Sequence, residues 1–591
     1  MISTNPQAAR GRPMSSSTSD GPFLVGIVGV AAVLAVTIGT IELVALFAGH
    51  PGPPLSGIGI GHGLANWHSH ASDPRVAFPA PLQGALPGPV GVYGALGLVI
   101  AAVAALGTTA ASVYGRRTRQ VNLDASARRR QGLTPPRQIA KAYPSGSGSI
   151  ELARTDDGSR PVHLGADRSM GAILGPGAGK SMAAVGWVLD APGPVLATST
   201  KTELWVDTAR LLETRTGCPS RLFDPSGVGG DLAGQGALRW SPIAGCEHQD
   251  TALRRANALM DGAQLSANTG NAGFFRSAGA IVTRLALHAC ALDGAGVDEL
   301  RAWVQDPDSA ELAAILARSD AAPGWIDDLR RQASATGETV NNIGLTVATA
   351  LECFAQSSVR DACSPGPGDG FSLDDWAATT AGSLYVVAPR TVRSLATLSS
   401  AFIAEAFFAA RLRAYRVAGQ RLDPPIRFVL DELPNLCAID EIDTYIAEGR
   451  GPGLPVMWIA QSREQLVERF GVPKANAIID ASEVMLYGGG LDTAGLYEGV
   501  SARIGDVPIA RTSTQRDTFG NVSTATMAEH RAIMSPADLY RLGTVTDRRG
   551  VHRWGLAMMM GRQGSTVVRL MPWWTRRDAD EIAAASGQAK P

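Results

Sequence analysis

Cysteine, aromatic residues and an excess of charge of either sign are all scarce in this 591-residue chain. Its six cysteines stand apart, with no C-x-x-C pair and no histidine at ligand spacing, so neither a zinc site nor a disulfide framework is indicated. The formal net charge is −1, so bulk charge gives no support for polyanion binding, which would need local patches. The length exceeds what one core supports, and about three or four structural units are expected.

Two long apolar runs near the N-terminus predict membrane spans. Residues 22–49 are almost wholly apolar and long enough to cross a bilayer, and residues 89–115 form a second such run. Arginines follow the second run at once, and by the positive-inside rule they face the cytoplasm. We therefore expect a multi-pass protein of a plasma membrane, with an outer loop at 50–88 and both termini inside.

The soluble part centres on Met170 to Met182, MGAILGPGAGKSM, which reads as a strand, a phosphate-binding loop and the first turn of a helix. Glycines let successive N–H groups face a phosphate, and the helix adds its positive end. Lys180 would reach the β- and γ-phosphates and Ser181 would ligate Mg²⁺. The glycine usually found five residues before Gly179 is replaced by Leu174, so an ordinary strand-to-helix turn stays open on this stretch alone. The predicted nucleotide-binding residues are Gly175, Gly177, Ala178, Gly179, Lys180, Ser181 and Met182.

Further buried strands follow, with polar residues at their carboxyl ends. The strand 194–201 ends in Ser199 and Lys201, which are second-rank site candidates because ligands of doubly wound sheets collect at that edge. Amphipathic helices then dominate roughly 247–372, and strands resume at 383–389. A helical block between two strands of one sheet predicts an inserted all-α subdomain.

A second informative stretch is the apolar strand that ends in Asp431 and Glu432. Two carboxylates at a strand end fit a metal-dependent NTPase, with Asp431 holding Mg²⁺ through water and Glu432 orienting and deprotonating the attacking water. An Asp-Glu pair is also common as a solvated strand end. The phosphate loop upstream makes the functional interpretation stronger, because each motif supplies the partner that the other needs.

Two more catalytic candidates follow the carboxylates. Gln461 stands at the tip of the strand 456–460, where it could sense the γ-phosphate or its water. Arg450 lies in the flexible loop EGRGPGL and could reach a neighbouring subunit's nucleotide as an arginine finger, although a solvated loop arginine fits equally well.

Together these features resemble the type IV coupling proteins, the TraG/TraD-like membrane ATPases of conjugation and type IV secretion. The most specific stretches are FVLDELPNL and EGRGPGLPVMWIAQSREQLVERFG, between Arg427 and Gly471. Asp492 to Ala494 and Arg531 to Leu542 also match, and the family often lacks the first glycine of its phosphate loop. The resemblance covers nearly the whole chain.

The resemblance implies an α/β fold with a RecA-like P-loop NTPase core, assembled as a homo-hexamer that uses ATP and Mg²⁺. Such a motor moves single-stranded DNA with its relaxase, or an effector protein, to the components of a secretion channel. The expected segments are a tail (1–21), span (22–49), outer loop (50–88), span (89–115), linker (116–150), core (151–246), all-α insertion (247–372), core (373–575) and tail (576–591).

Two other functions stay open. A pump for double-stranded DNA of the FtsK/HerA type shares the core and the membrane anchor, although no compact winged-helix segment follows the motor. A membrane-bound recruitment scaffold that binds nucleotide with little turnover is the other, and the atypical phosphate loop is its main support.

Overall fold

The computed structural model describes residues 66–84, 88–91, 93–94, 97 and 132–590, apart from short gaps at 231–233, 264–271, 307, 335–336, 393, 492–494, 517–521 and 589. The chain divides into two compact units, Met1–Ala125 and Ser126–Pro591. The predicted span 22–49 lies outside the described residues, as does most of 89–115. Both spans therefore stay predictions.

In the first unit the described residues form short helical turns at Trp67–His70, Pro74–Ala77 and Ala80–Gln83. Asp73 fixes the second turn, because its carboxylate accepts hydrogen bonds from the guanidinium of Arg75 at 2.7 and 2.8 Å. The Tyr93 hydroxyl donates to the carbonyl of Ala71 at 2.8 Å.

A large mixed sheet organises the second unit. The strands are β1 (Ile150–Thr155), β2 (Pro161–Leu164), β3 (Met170–Ile173), β4 (Val195–Ser199), β5 (Ser220–Phe223), β6 (Ser383–Val387), β7 (Arg427–Leu430), β8 (Val456–Ala460), β9 (Val484–Gly488), β10 (Asp506–Arg516), β11 (Val522–Ala532), β12 (Thr544–Thr546), β13 (His552–Gly561) and β14 (Gly564–Leu570). Their order in the sheet is β2-β1-β14-β13-β9-β3-β8-β7-β4-β6-β5, with β12 on β13. The strands from β9 to β5 are parallel, and the others pair antiparallel.

The central strands are continuous apolar runs because both faces of the sheet are covered. Every residue of β3, β4, β6, β7, β8 and β9 is buried, as in parallel sheets packed on both sides. Alternate residues serve different cores: Val456 and Trp458 face one core cluster, whereas Met457 and Ile459 face the other. Gly171 pairs with Trp458, and a Cβ on this glycine would collide with the indole ring.

Helices cover both faces of this sheet. They are α1 (Pro136–Ala142), α2 (Lys180–Leu189), α3 (Glu203–Thr216), α4 (Gln249–Gly262), α5 (Ala272–Asp293), α6 (Val297–Gln305), α7 (Ala310–Leu316), α8 (Trp325–Ala333), α9 (Gly337–Ala350), α10 (Ser357–Cys363), α11 (Leu373–Ala378), α12 (Leu395–Arg416), α13 (Leu433–Leu436), α14 (Ile442–Glu448), α15 (Arg463–Ala481), α16 (Leu496–Ile504), α17 (Pro536–Tyr540) and α18 (Ala579–Ser586).

Helices α4 to α11 fill the connection between β5 and β6, where the sequence predicts an inserted all-α subdomain. Their apolar residues belong to the same core cluster as α12 and one face of the sheet. The block therefore packs onto the sheet as part of one unit. Among the described helices only α12 is long and apolar enough to cross a membrane, and it is mostly buried inside this unit.

The described part of the predicted linker 116–150, which begins at residue 132, is folded. Residues 136–142 form α1, in which Ile139 is fully buried, and Tyr143 follows at 5% exposure. The Thr134 N–H donates to the carbonyl of Ser565 at 2.9 Å. These residues pack on the terminal strands and are not a free tether.

Strands β10 and β11 form a separate two-stranded ribbon that sequence reasoning did not predict. The pairing runs from Asp506 opposite Ala532 to Arg516 opposite Val522. Side chains on both faces are exposed, as the adjacent residues Met527 and Ala528 illustrate. The alternation of apolar and polar residues that marks a half-buried strand is therefore missing.

Candidate nucleotide-binding site

The loop between β3 and α2 has the backbone of a phosphate-binding loop. Gly177 and Gly179 have φ of +75° and +85°, a left-handed conformation that residues with a Cβ rarely adopt. Helix α2 then begins at Lys180. The N–H groups of its first turn have no acceptor within the helix and carry partial positive charge, so this end can bind a phosphate.

Leu174, the departure from the usual loop pattern, has a structural explanation. Its N–H donates to the carbonyl of Ala460 at 3.0 Å, which continues the pairing of β3 with β8. Its side chain is fully buried, and its φ is not among the positive values. Position 174 thus extends the strand and needs no glycine.

Asp431 and Glu432 follow β7 at the same carboxyl edge of the sheet, two strands from β3. Asp431 is 3% exposed, and its Oδ1 has no hydrogen-bond partner in the described chain. The Thr198 hydroxyl donates to the Asp431 carbonyl at 3.0 Å and fixes the backbone there. Burial raises the pKa of the Asp431 carboxyl to about 6, and the positive charge of Lys180 opposes this rise.

Glu432 is the centre of a polar network that joins three predicted site residues. Its Oε1 lies 2.6 Å from Nζ of Lys180 and accepts a hydrogen bond from the side-chain amide of Gln461. The Asn435 side chain donates to Oε2 at 3.0 Å. Glu432 itself has φ +60° and ψ +46°, a left-handed conformation that is unusual for a residue with a side chain. Strained positions of this kind cluster at functional sites.

The donor set at this edge fits a magnesium ion. Mg²⁺ prefers oxygen ligands, keeps several waters and usually takes one or two protein groups beside the substrate phosphates. The unpartnered Oδ1 of Asp431 and the hydroxyl of Ser181, one residue after Lys180, are such oxygens. A larger cluster of metal-binding side chains does not occur among the described residues.

Arg450 lies at the other edge of the sheet. It precedes β8, and its Nε donates to Oδ2 of Asp167, just before β3, at 3.1 Å. Arg450 therefore cannot reach the phosphate loop of its own chain. Its role at a neighbouring subunit's nucleotide stays a prediction.

The second-rank candidates take different positions. Ser199 is buried at the end of β4, and its hydroxyl accepts from the N–H of Lys201 at 3.2 Å. The Lys201 side chain is exposed and lies 3.3 Å from Glu203. Lys201 thus pairs with Glu203 at the surface and takes no part in the network around Glu432 that the hydrogen bonds show.

Comparisons with known proteins place the chain beside one family. A family model described as the TraM recognition site of TraD and TraG matches residues 425–544, which include β7, Asp431, Glu432 and Gln461. This match confirms the resemblance to the type IV coupling proteins. No curated protein sequence matches the chain.

Solved structures of a coupling protein share the fold. The bacterial conjugative coupling protein TrwBdeltaN70 in its unbound form has a TM-score of 0.54 and 16% identity, covering 74% of this chain and 90% of its own. TrwB with ADP and Mg²⁺ has a TM-score of 0.53 at 16% identity, covering 74% and 93%. TrwB with a non-hydrolysable ATP analogue has a TM-score of 0.54 at 15% sequence identity, and the match covers 74% of this chain and 93% of that one. The expected α/β fold is thereby confirmed, and the RecA-like P-loop NTPase core stays a prediction.

Sequence reasoning missed one wall of this site. A Cβ on Gly555 of β13 would collide with the carbonyl oxygen of Ala178, so this strand lies directly against the phosphate loop. The ring of His552 is adjacent, and a Cβ on Gly179 would lie 3.6 Å from its Nε2. Asn435 was also missed, although its position three residues after Glu432 was a usable signal.

Proposed function

We propose that the chain is a membrane-anchored ATPase that recruits single-stranded DNA with its relaxase, or an effector protein, and moves it to a type IV secretion channel. The observation that carries the proposal is the convergence of Lys180, Gln461 and Asn435 on Glu432 beside the phosphate loop. The family match at 425–544 supports the coupling role.

Nucleotide binding in this proposal changes the partner of Lys180. The phosphates lie against the N–H groups of Gly175 and of residues 177–182, and the ammonium of Lys180 leaves Glu432 for the β- and γ-phosphates. Glu432 then keeps the hydrogen bonds from Gln461 and Asn435, which orient its carboxylate. The freed carboxylate can accept a proton from the attacking water.

Ser181 and Asp431 are the residues that would hold Mg²⁺, Asp431 through water. The ion would neutralise charge on the β- and γ-phosphate oxygens. The unpartnered Oδ1 of Asp431 supports this assignment, because a buried carboxylate oxygen without a partner is costly unless a ligand satisfies it.

Ring assembly completes the site in the proposed homo-hexamer. A head-to-tail interface that closes brings one edge of a subunit to a different face of the next. Arg450, which is 55% exposed at the far edge, would then reach the neighbour's γ-phosphate. Residues 22–49 and 89–115 would anchor the ring in the plasma membrane.

The test is ATP hydrolysis by the full-length chain in detergent or lipid nanodiscs, with Mg²⁺, alone and with single- or double-stranded DNA. We expect turnover that single-stranded DNA stimulates and that Lys180→Ala and Glu432→Gln abolish. Matched controls are Lys141→Ala and Glu498→Gln, which change exposed residues on other helices.

Two outcomes would contradict the proposal. ATP binding without Mg²⁺-dependent turnover, at concentrations that permit ring assembly, would favour the recruitment scaffold. Stimulation by double-stranded DNA in preference to single-stranded DNA would favour a pump of the FtsK/HerA type.

A further inference from the structure

The carboxylate of Asp167 joins two arginines from distant parts of the chain. Its Oδ2 accepts hydrogen bonds from Nε of Arg450 at 3.1 Å and from Nη2 of Arg421 at 3.2 Å. Both arginines are half-exposed, at 55% and 49%, whereas Asp167 is only 19% exposed. One largely covered acid therefore holds two cationic groups that reach solvent.

The sheet order explains why these three residues meet. Asp167, Arg421 and Arg450 each precede a strand, and those strands, β3, β7 and β8, are neighbours in the sheet. Because the strands are parallel, the segments before them arrive at the same edge. This is the edge opposite the phosphate loop.

A buried arginine holds the backbone next to Asp167. Arg427 is fully buried, and its Nη2 donates to the carbonyl of Ala166 at 2.8 Å. Arg427 begins β7, the strand that leads to Asp431, and Asp167 precedes β3, the strand that leads to the phosphate loop. The arginine pair is thus attached to both strands that support the nucleotide site.

The charges around Asp167 do not balance. Arg168 lies 3.5 Å from Oδ1 but also pairs with Glu483, so Asp167 is the shared acid for Arg421 and Arg450. Partial burial would raise the pKa of Asp167, but the hydrogen bonds from the two arginines outweigh it and hold that pKa below its ordinary value. One negative charge then faces two positive ones, which leaves a net cationic surface for an anion.

We infer that Asp167 is a positioning residue that holds Arg421 and Arg450 as a paired clamp for the triphosphate bound in the neighbouring copy of this chain. The inference rests on the proposed function and adds Arg421 and Asp167 to Arg450. Two planar guanidinium groups match phosphate oxygens and direct their donors along fixed lines. Asp167 keeps the two like charges close together, where they would otherwise repel each other and adopt many rotamers.

The first measurement compares Asp167→Ala, Arg421→Ala and Arg450→Ala in the full-length chain. At protein concentrations too low for ring assembly, we expect each variant to bind a fluorescent ATP analogue as wild type does, because none of the three residues contacts its own loop. The turnover number should fall at least a hundredfold for Arg450→Ala, and about tenfold for the other two, since arginine fingers have large effects on phosphoryl transfer. Asp327→Ala is the control, since Asp327 also pairs with an arginine, Arg330, but lies on exposed α8.

The decisive measurement mixes subunits. Each site of a closed ring takes its phosphate loop from one subunit and its clamp from the next. In an equal mixture, Asp167→Ala subunits supply the intact loops and Lys180→Ala subunits supply the intact clamps. An intact loop therefore meets an intact clamp at about a quarter of the sites. We expect turnover to return to about a quarter of the wild-type rate, and Asp167→Glu alone to retain more activity than Asp167→Asn.

The outcomes separate this inference from the proposed function. If wild type shows no turnover, the proposed function fails. If wild type is active but Asp167→Ala equals wild type, or the mixture recovers nothing, the clamp is wrong and the ATPase stands. Arg421→Ala could also lose only the stimulation by DNA while its DNA-free rate stays intact. That result would overturn the clamp and indicate that Arg421 contacts DNA.

Discussion

Nζ of Lys180 lies 2.6 Å from Oε1 of Glu432, so the residue expected to bind phosphate is engaged by the residue expected to activate water. The two side chains are 15% and 3% exposed, so their ion pair is largely shielded from solvent. In the absence of nucleotide the ion pair engages both side chains, so Lys180 is not available to a phosphate and Glu432 is not available to a water.

Glu432→Gln is therefore expected to bind ATP more tightly than wild type while it hydrolyses none. A neutral amide holds Lys180 less strongly than a carboxylate by roughly 1 kcal/mol, which corresponds to about a fivefold gain in affinity. Equilibrium titration with a fluorescent ATP analogue measures this, with Glu498→Gln as the control. Unchanged or weaker binding would show that the ion pair does not compete with nucleotide.

Asp431→Asn should stabilise the nucleotide-free protein at pH 7.5, although it removes the proposed magnesium ligand. The pKa of Asp431 is raised to about 6 in the folded protein, so this carboxyl stabilises the fold below its ordinary pKa. That stability, about 3 kcal/mol, is lost as the pH rises through 6. The asparagine carries no charge at any pH, so it avoids this loss.

Urea unfolding without Mg²⁺ or nucleotide tests the pH dependence. The variant should exceed wild type in free energy of unfolding by up to about 3 kcal/mol at pH 7.5 and by about a third of that gain at pH 4.5, where Asp431 is protonated in the folded protein. Asp327→Asn, at an exposed position, should show no such difference between the two pH values. An equal gain at both values would mean that ionisation of Asp431 is not the cause.

Gly555→Ala should weaken nucleotide binding by about tenfold or more, because the new Cβ would displace the carbonyl of Ala178 and with it the phosphate loop. The change is far from the loop in sequence, so this result would establish β13 as a wall of the site. Gly499→Ala is a matched control, since a Cβ there meets no atom within 4 Å. Wild-type affinity in Gly555→Ala would indicate that the loop moves aside without cost.

Removal of the ribbon should leave the ATPase intact. Joining Val507 to Arg531, which are paired opposite each other, through two glycines preserves the base of the ribbon. Because the described side chains between Pro508 and His530 are exposed, the melting temperature should change by less than about 3 °C and basal turnover should persist. Unfolding of the shortened chain would mean that the ribbon supports the core.

The residues of the candidate nucleotide-binding site could be predicted from the sequence because each of them belongs to a short motif. Glycines precede Lys180, and apolar strands end in Asp431 and Gln461, so each motif is readable within about ten residues. The parallel sheet then brings such strand ends together without further information. The helical character of residues 247–372 also followed from the amphipathic pattern of that stretch.

Other parts of the fold depend on contacts between distant segments. Residues 134–155 were assigned partly to a linker because of their proline, glycine and serine, yet Ile139 and Ile150 are buried against the terminal strands. The described side chains of the ribbon leave neither face buried, so the sequence lacks the alternation of apolar and polar residues that predicts a strand. The meeting of Asp167 with Arg421 and Arg450 arises only from strand order, which short-range patterns do not contain.

Strand order also governs when during synthesis this fold can be completed. Strands β1 and β2 join the rest of the described sheet through β14 and β13, which are translated last although they lie in its middle. Until those two strands leave the ribosome, the nascent chain has two separate sheet fragments, and Ala178 has no β13 beside it. We expect a ribosome-bound chain to lack a finished nucleotide site, so that nucleotide binding begins only upon release.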